Sequence, residues 1–321
     1  MNKNLLIVLL LIVLIVESVL FVLYYKSNQK ADISNGTESD TIFYTIQGFN
    51  DNSVIEGVKV GDYVKVEASP KQFTDSDYEW ISEKSGFNEI NKLVNDNTSS
   101  YKDSYPISYE NIVWRVFSVN KKEVKLIAMR PTSAAVYLAG DSGYQNGMYI
   151  LNEVCNKLYS SEVGTVQNIS LNDIESKLTK QYKYKSLDEN CFVDFSENNK
   201  VYCEMILDDN EYWISEPYNN SSENNMNINK GLKIFNNGMI QNRGLYATSQ
   251  IQHYSASLRP VMTIDSNYVI APCEGENSIE NMHKIVKKEE WKSEIQKSLF
   301  FWTLAQEKSR KKAWLLIFSI I

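Results

Sequence analysis

The sequence predicts an α+β protein: a mostly antiparallel sheet with two helices, behind an N-terminal transmembrane helix. Three observations lead there. Leu5 to Tyr25 reads LLIVLLLIVLIVESVLFVLYY, about 21 residues that at 1.5 Å of helical rise each span roughly the 30 Å of a hydrocarbon core. Short runs rich in β-branched and aromatic residues, WRVFSV and VKLIAM among them, stand between turn residues as strands do. Between such runs, MYILNEVCNKLYSS places Leu151, Val154, Cys155 and Leu158 at i, i+3, i+4 and i+7, one face of an amphipathic helix.

The apolar segment is interrupted only by Glu17 and Ser18, and no small-residue cut site or cysteine follows it, so residues 1–27 are expected to be an uncleaved signal anchor. That places the chain in the cell membrane as a single-pass protein whose bulk is extracytoplasmic. Residues 28–40 are polar and form a tether. The folded domain is expected over 41–271, its first strands at Thr41 to Phe49 and Val58 to Ala68. Ser69 to Pro106, rich in Ser, Asp, Asn and Lys, is expected to be a surface insertion with a short helix near Asn88 to Val94. Ile112 to Val119 and Val124 to Met129 form a hairpin across NKKE, Trp114 and Val116 on one face, Arg115 and Phe117 on the other.

AGDSGYQNG is expected as a glycine-punctuated loop before the amphipathic helix. SLNDIESKLTKQY makes the second helix, with Ser170 as its N-cap. Glu211 to Ser215 is a short strand, and Asn237-Gly238 marks a tight hairpin turn. HYSASLRPVMTI, His253 to Ile264, closes the sheet. Residues 272–321 are a charged helical tail with a basic KSRKK and a final AWLLIFSII too short to span a membrane. That end either lies in the lipid interface beside its basic residues or is an atypical terminus.

A hydrophobic fraction of 43% is enough for a sizeable core, while a net charge of -7 argues against nucleic acid as a partner. Two histidines without metal-ligand spacing point to no metal and no cofactor. Of the four cysteines, Cys155 falls on the apolar helix face, and Cys191 opposes Cys203 if CFVDFSENNKVYC folds as a hairpin centred on Glu197. In that register the pair is within disulfide reach, so it is the disulfide candidate. No catalytic motif is present; Ser118 to Lys121 matches Ser-x-x-Lys only at a turn. A thiol-dependent wall or peptide enzyme would have to use Cys155 with His253 and Arg259.

VGDYV, WRVFSV, VKLIAMRPT, GYQNGMYILNEVCNKLYSS, YWISEP and ASLRPVMTI occur in an order that resembles an uncharacterised family of Firmicutes surface and prophage-encoded proteins. The resemblance covers about Val60 to Ile264. The tryptophan strand, glycine hairpin and arginine-bearing closing strand are also similar to C-type-lectin-like and formylglycine-generating-enzyme-like folds. The sequence departs from its nearer family at Glu216 and Pro217, where serine and arginine are usual, and carries no recognisable pair of active-site cysteines. The resemblance therefore implies binding or scaffolding rather than oxidation. The expectation is a membrane-anchored binding or scaffolding protein whose partner is the membrane plus a surface glycan or protein. The alternatives are the thiol enzyme and a structural part of a prophage or secretion assembly. Trp213, Tyr254 and Arg259 are the candidate ligand-binding residues, although Arg259, with five donors, is favoured as a clasp that pairs across the domain.

Overall fold

The computed structural model describes residues 58–120, 123–177, 191–192, 200–219, 230–236, 238–247 and 250–293. The chain divides into two compact units, Met1–Asp40 and Thr41–Ile321, and every described residue belongs to the second. The expected anchor, the tether and the Thr41 to Phe49 strand lie outside the described residues. Among those that are described, no helix is long and apolar enough to cross a membrane.

The unit is α+β with mostly antiparallel pairing, in two sheets. Sheet A holds, in spatial order, β13 (Tyr268–Ala271), β14 (His283–Lys287), β1 (Tyr63–Lys65), β2 (Trp114–Val119), β3 (Val124–Ala128), β12 (Pro260–Ile264) and β5 (Gly164–Asn168). Sheet B runs β10 (Gln250–Ile251), β9 (Met239–Ala247), β8 (Lys230–Asn236), β7 (Tyr212–Asn219), β11 (His253–Ser257) and β4 (Ala135–Ala139), with β6 (Cys191–Phe192) pairing β9. Two pairs, β1 with β14 and β11 with β7, are parallel.

Helices α1 (Asp75–Lys84), α2 (Phe87–Leu93) and α3 (Tyr101–Ser104) follow β1, and α4 (Gly140–Tyr159) follows β4. Further along come α5 (Leu171–Glu175) and α6 (Lys200–Ile206). Two cores result, and the strands feed both by alternation. Val116, Leu126 and Met262 of sheet A meet Trp213, Leu232 and Ile234 of sheet B around Ile150, Leu151, Val154 and Cys155 of α4. Their neighbours Phe117, Ile127 and Val261 meet Tyr212, Ile214 and Phe235 in the second core, with α5 and α6. Burial on both faces explains why these strands read as nearly continuous apolar runs.

The β2–β3 hairpin, the apolar face of α4 and the Ser170 capping box of α5 match the expectations. Asn236 pairs with Met239 across a two-residue loop whose Gly238 has φ 86°, the left-handed geometry such a turn demands. Other expectations change. AGDSGYQNG is not a loop but largely the first turns of α4. Its Gly143 and Gly147 face neighbours that leave no room for a Cβ, which would lie 2.7 Å from the Ser85 carbonyl oxygen and 2.3 Å from Leu232 Cδ1. Glycines four apart, on one helix face, thus let the helix sit close to its neighbours.

The expected surface insertion at Ser69 to Pro106 is part of the core: Phe73, Tyr78, Ile81, Phe87 and Tyr101 are all buried. The 272–321 tail is not wholly a tail, because its His283–Lys287 stretch is a strand inside sheet A. HYSASLRPVMTI is not one strand but two, β11 in sheet B and β12 in sheet A, with Leu258 and Arg259 crossing between them. Pro260 opens β12, where a missing donor is tolerated. The cysteine hairpin is also corrected. Cys203 lies on α6 and Cys191 pairs with Ile240 of β9, so the register that would have opposed the two does not exist.

Candidate functional site

Helices α1, α2 and α3 line an open, shallow cleft of about 440 Å³, within the volume range of small-ligand sites. Its lining combines buried rings, Tyr78, Phe87 and Tyr101, with polar groups at the mouth: Glu79, Ser82, Glu83, Asn88, Ser99 and Ser100. The local sequence builds this rigidly. Thr74 and Asp77 form a capping box that starts α1, and Ser100 accepts from the Asp103 N–H to start α3. Asp96 accepts from the Thr98 and Ser99 N–H groups at 2.9 and 3.1 Å and from both hydroxyls, fixing the rim. The Ser99 hydroxyl first, then the Thr98 contacts, hold the Asp96 carboxyl far below the usual carboxylate range.

The rings are fixed just as firmly. Tyr78 Oη accepts from the Ile107 N–H at 2.7 Å and donates to the Ile107 carbonyl at 2.8 Å. Tyr101 Oη accepts from the Tyr137 N–H at 2.9 Å and donates to its carbonyl at 3.4 Å. Each hydroxyl serves as the backbone partner of one residue. Asp75, Glu79 and Glu83 recur every fourth residue along α1, and Lys102 sets its ammonium 2.7 Å from Asp75 and 5.6 Å from the Tyr78 ring centre. The hydrogen bond to Asp75 raises the Lys102 pKa. A preformed, hydroxyl- and carboxylate-rimmed cleft can hydrogen-bond a polar ligand without reorganising, which spares the entropy of ordering the site.

The structure brings two of the three expected ligand residues, Trp213 and Tyr254, together, and buries Trp213 and Arg259 inside the protein. Trp213 is fully buried, donates Nε1–H to the Val136 carbonyl at 2.8 Å, and meets the Tyr254 ring edge-on at 5.6 Å. Arg259 is likewise 0% exposed. Its Nη2 donates to the Met129 carbonyl at 2.9 Å and to the Met205 carbonyl, its Nη1 lies 3.6 Å from Asp208, and its guanidinium sits over the Tyr212 ring. Burial pulls the Arg259 pKa down, with Tyr212 and Asp208 opposing. Neither Trp213 nor Arg259 offers a surface to a ligand, which corrects the binding assignment; the clasp is what the geometry provides.

Tyr254 is half-buried, donates its hydroxyl to Glu211, and lies under the Arg243 guanidinium at 4.7 Å. Arg243 Nη2 in turn donates to Glu211 at 3.2 Å. Sequence reasoning passed over both of these charged groups. Glu211 stands beside the Tyr-Trp pair that attracted attention, but Arg243 carried no local signal.

The thiol-enzyme constellation does not assemble. Cys155 is buried in the α4 core, where burial pushes its thiol well above the ordinary cysteine range, so no thiolate is on hand. His253 is exposed and stacks on Tyr137, 5.5 Å between ring centres, while Arg259 is enclosed at the crossover. Among the described contacts none joins the three. The other histidine, His283, accepts from the Cys273 N–H at Nδ1 and pairs with Asp62 through Nε2, each at 3.0 Å, so both nitrogens are engaged in holding β14. Among the described residues no group of three or more His, Cys, Asp or Glu could hold a metal ion. Comparison with known proteins finds no matching family model, no matching curated protein and no matching solved structure.

Proposed function

We propose that the chain is a membrane-anchored, extracytoplasmic binding protein that takes a hydroxyl-rich surface ligand, a wall glycan, in the cleft between α1, α2 and α3. The observation that carries this reading is the cleft's construction: rings immobilised by backbone hydrogen bonds beneath a rim of Ser, Asn and Glu side chains. Short hydroxyl, amide and carboxylate groups are the partners that sugar hydroxyls need. The anchoring rests on Leu5 to Tyr25. The C-type-lectin-like architecture and the kinship with Firmicutes surface proteins belong to the same proposal; what supports them is the order of the WRV, LNEVC, YW and LRPV stretches.

The test is retention of the detergent-solubilised full chain on purified wall glycan. Wild type should be retained and released by soluble glycan fragments. Glu79→Ala combined with Asn88→Ala, two exposed changes, should weaken retention about tenfold if each group contributes one hydrogen bond of roughly 0.5–1.5 kcal/mol. Equal retention of the double variant would sink the assignment to this cleft.

A further inference from the structure

Charge is the feature of the cleft between α1, α2 and α3 that hydroxyl groups alone do not use. Asp75, Glu79 and Glu83 stand along one wall, each separated from the next by about 6 Å of helical rise, and among the described lining residues Lys102 alone is basic. From Asp75 to Ser104, the stretch that forms the three helices, the sequence holds seven carboxylates and three ammonium groups. The wall's negative excess is therefore not cancelled by its own segment. Two of the carboxylates have cations: Asp75 meets Lys102 at 2.7 Å, and Glu83 meets Lys84 at 2.9 Å. Glu79, between them on the same helix face, is exposed and has no partner among the described contacts.

The cleft also shows what such a wall can hold. Lys102 brings an ammonium group against a carboxylate and, at 5.6 Å, over the Tyr78 ring, a pair of contacts that suits ammonium ligands in general. The hydrogen bond to Asp75 raises the Lys102 pKa, the sign of an ammonium stabilised in place. A ligand ammonium beside Glu79 would repeat, one turn along α1, what Lys102 does beside Asp75.

We infer that the ligand is an amino-sugar polymer, a glycan with free protonated amino groups, whose ammonium groups pair with Glu79 and Glu83 while its hydroxyls meet Ser82, Asn88, Ser99 and Ser100. The rim's hydroxyl and amide groups select a hydroxyl-bearing carrier of the charge. The Lys84 contact of Glu83 is exposed and is given up at little cost. N-acetylation of the sugar removes its positive charge and with it the preference. This inference rests on the glycan part of the proposed function.

The test is calorimetric titration of the detergent-solubilised full chain with length-matched oligomers of glucosamine and of N-acetylglucosamine, at about pH 6, where ordinary carboxyl groups are ionised and ordinary amines protonated. An exposed ion pair is worth a few-fold in affinity, so two should favour the free-amine oligomer by about tenfold. Glu79→Gln combined with Glu83→Gln keeps side-chain length and hydrogen-bonding groups while removing both charges. It should weaken the free-amine oligomer, spare the acetylated one and bring the two affinities together; both positions are exposed, and an unchanged near-ultraviolet circular dichroism spectrum checks the fold. Equal or tighter binding of the acetylated oligomer by wild type would overturn the amino-group assignment and leave the glycan reading standing. A preference that persists in the double variant would overturn the roles of Glu79 and Glu83. Displacement of the oligomer by putrescine matched in amine concentration would overturn the sugar as the carrier of the charge. Binding of neither oligomer would remove the glycan reading on which the inference rests.

Discussion

Arg259 brings a guanidinium to a place with no solvent exposure, and two carbonyls on Nη2, Asp208 and the face of Tyr212 offset part of that cost, while Nε and Nη1 make no hydrogen bond. The two carbonyls come from the end of β3 and from α6, so one side chain gathers the crossover, sheet A and the second core. Arg259→Ala should lower stability by about 3–5 kcal/mol, the usual loss when one member of a buried charged pair is deleted. Urea unfolding monitored by tryptophan fluorescence would measure it; a loss under about 1 kcal/mol would show that Arg259 is not a clasp.

Asp173 makes a different residue-scale prediction. Burial alone would raise its carboxyl, but hydrogen bonds from Lys125 and Ser170 outweigh that and hold it below its ordinary value of 3.8. A group depressed by folding contributes stability above its unfolded value and loses it as pH falls through the folded one. The urea midpoint should therefore fall as pH drops below about 3.8, and Asp173→Asn should have a shallower acid limb than wild type. Parallel acid limbs would exclude this carboxylate as a contributor.

At the scale of elements, the β5 and β4 sheet edges are capped by side chains and one loop carbonyl. On β5, the Val166 N–H donates to Ser160 Oγ at 2.6 Å and the Asn168 N–H to Asn152 Oδ1 at 3.1 Å. On β4, the Tyr137 N–H meets Tyr101 and the Ala139 N–H meets the Ser85 carbonyl at 2.7 Å. Sealed edges do not template pairing with other chains. Tyr101→Phe keeps the ring but strands a buried N–H and carbonyl, so it should cost about 1–3 kcal/mol in thermal or urea unfolding. An unchanged midpoint would mean that water or another group takes the hydroxyl's place.

This closure was not legible in the sequence, because Ser160, Asn152 and Tyr101 act on strands that are distant or unmarked by any local motif. β4 itself escaped notice, as AAVYLA is short and lies between two loops by composition. By contrast the α4 face and the β2–β3 hairpin were legible, since each is stabilised by contacts whose spacing follows the period of the element itself. Glycine spacing in GDSGYQNG carried helical information as well, but turn chemistry masks it. The cleft was hidden for the same reason as the edges: Ser, Asp and Asn in Ser69 to Pro106 read as loop, although Asp77, Ser85 and Ser100 among them cap helices.

For the whole molecule, the consequential revision is where the fold ends. The composition shift after Ala271 suggested a boundary, yet β14 lies between β13 and β1, so sheet A is interrupted without it. A chain stopped at Ala271 would also leave Asp62 buried without His283 and Tyr63 without Asn277. β13 would lose the strand that connects it to the sheet, exposing Val269 and Ile270, which are now buried. Uncovered apolar surface and an unpaired buried carboxylate act in the same direction. A fragment from Thr41 to Ala271 should therefore lack a cooperative unfolding transition, bind a hydrophobic dye and lose near-ultraviolet circular dichroism, while one from Thr41 to Ser293 keeps all three native signatures. Paired melting curves of the two fragments would decide it. If the shorter fragment unfolds as cooperatively as the longer, β14 is an accessory strand and the boundary at Ala271 is the true one.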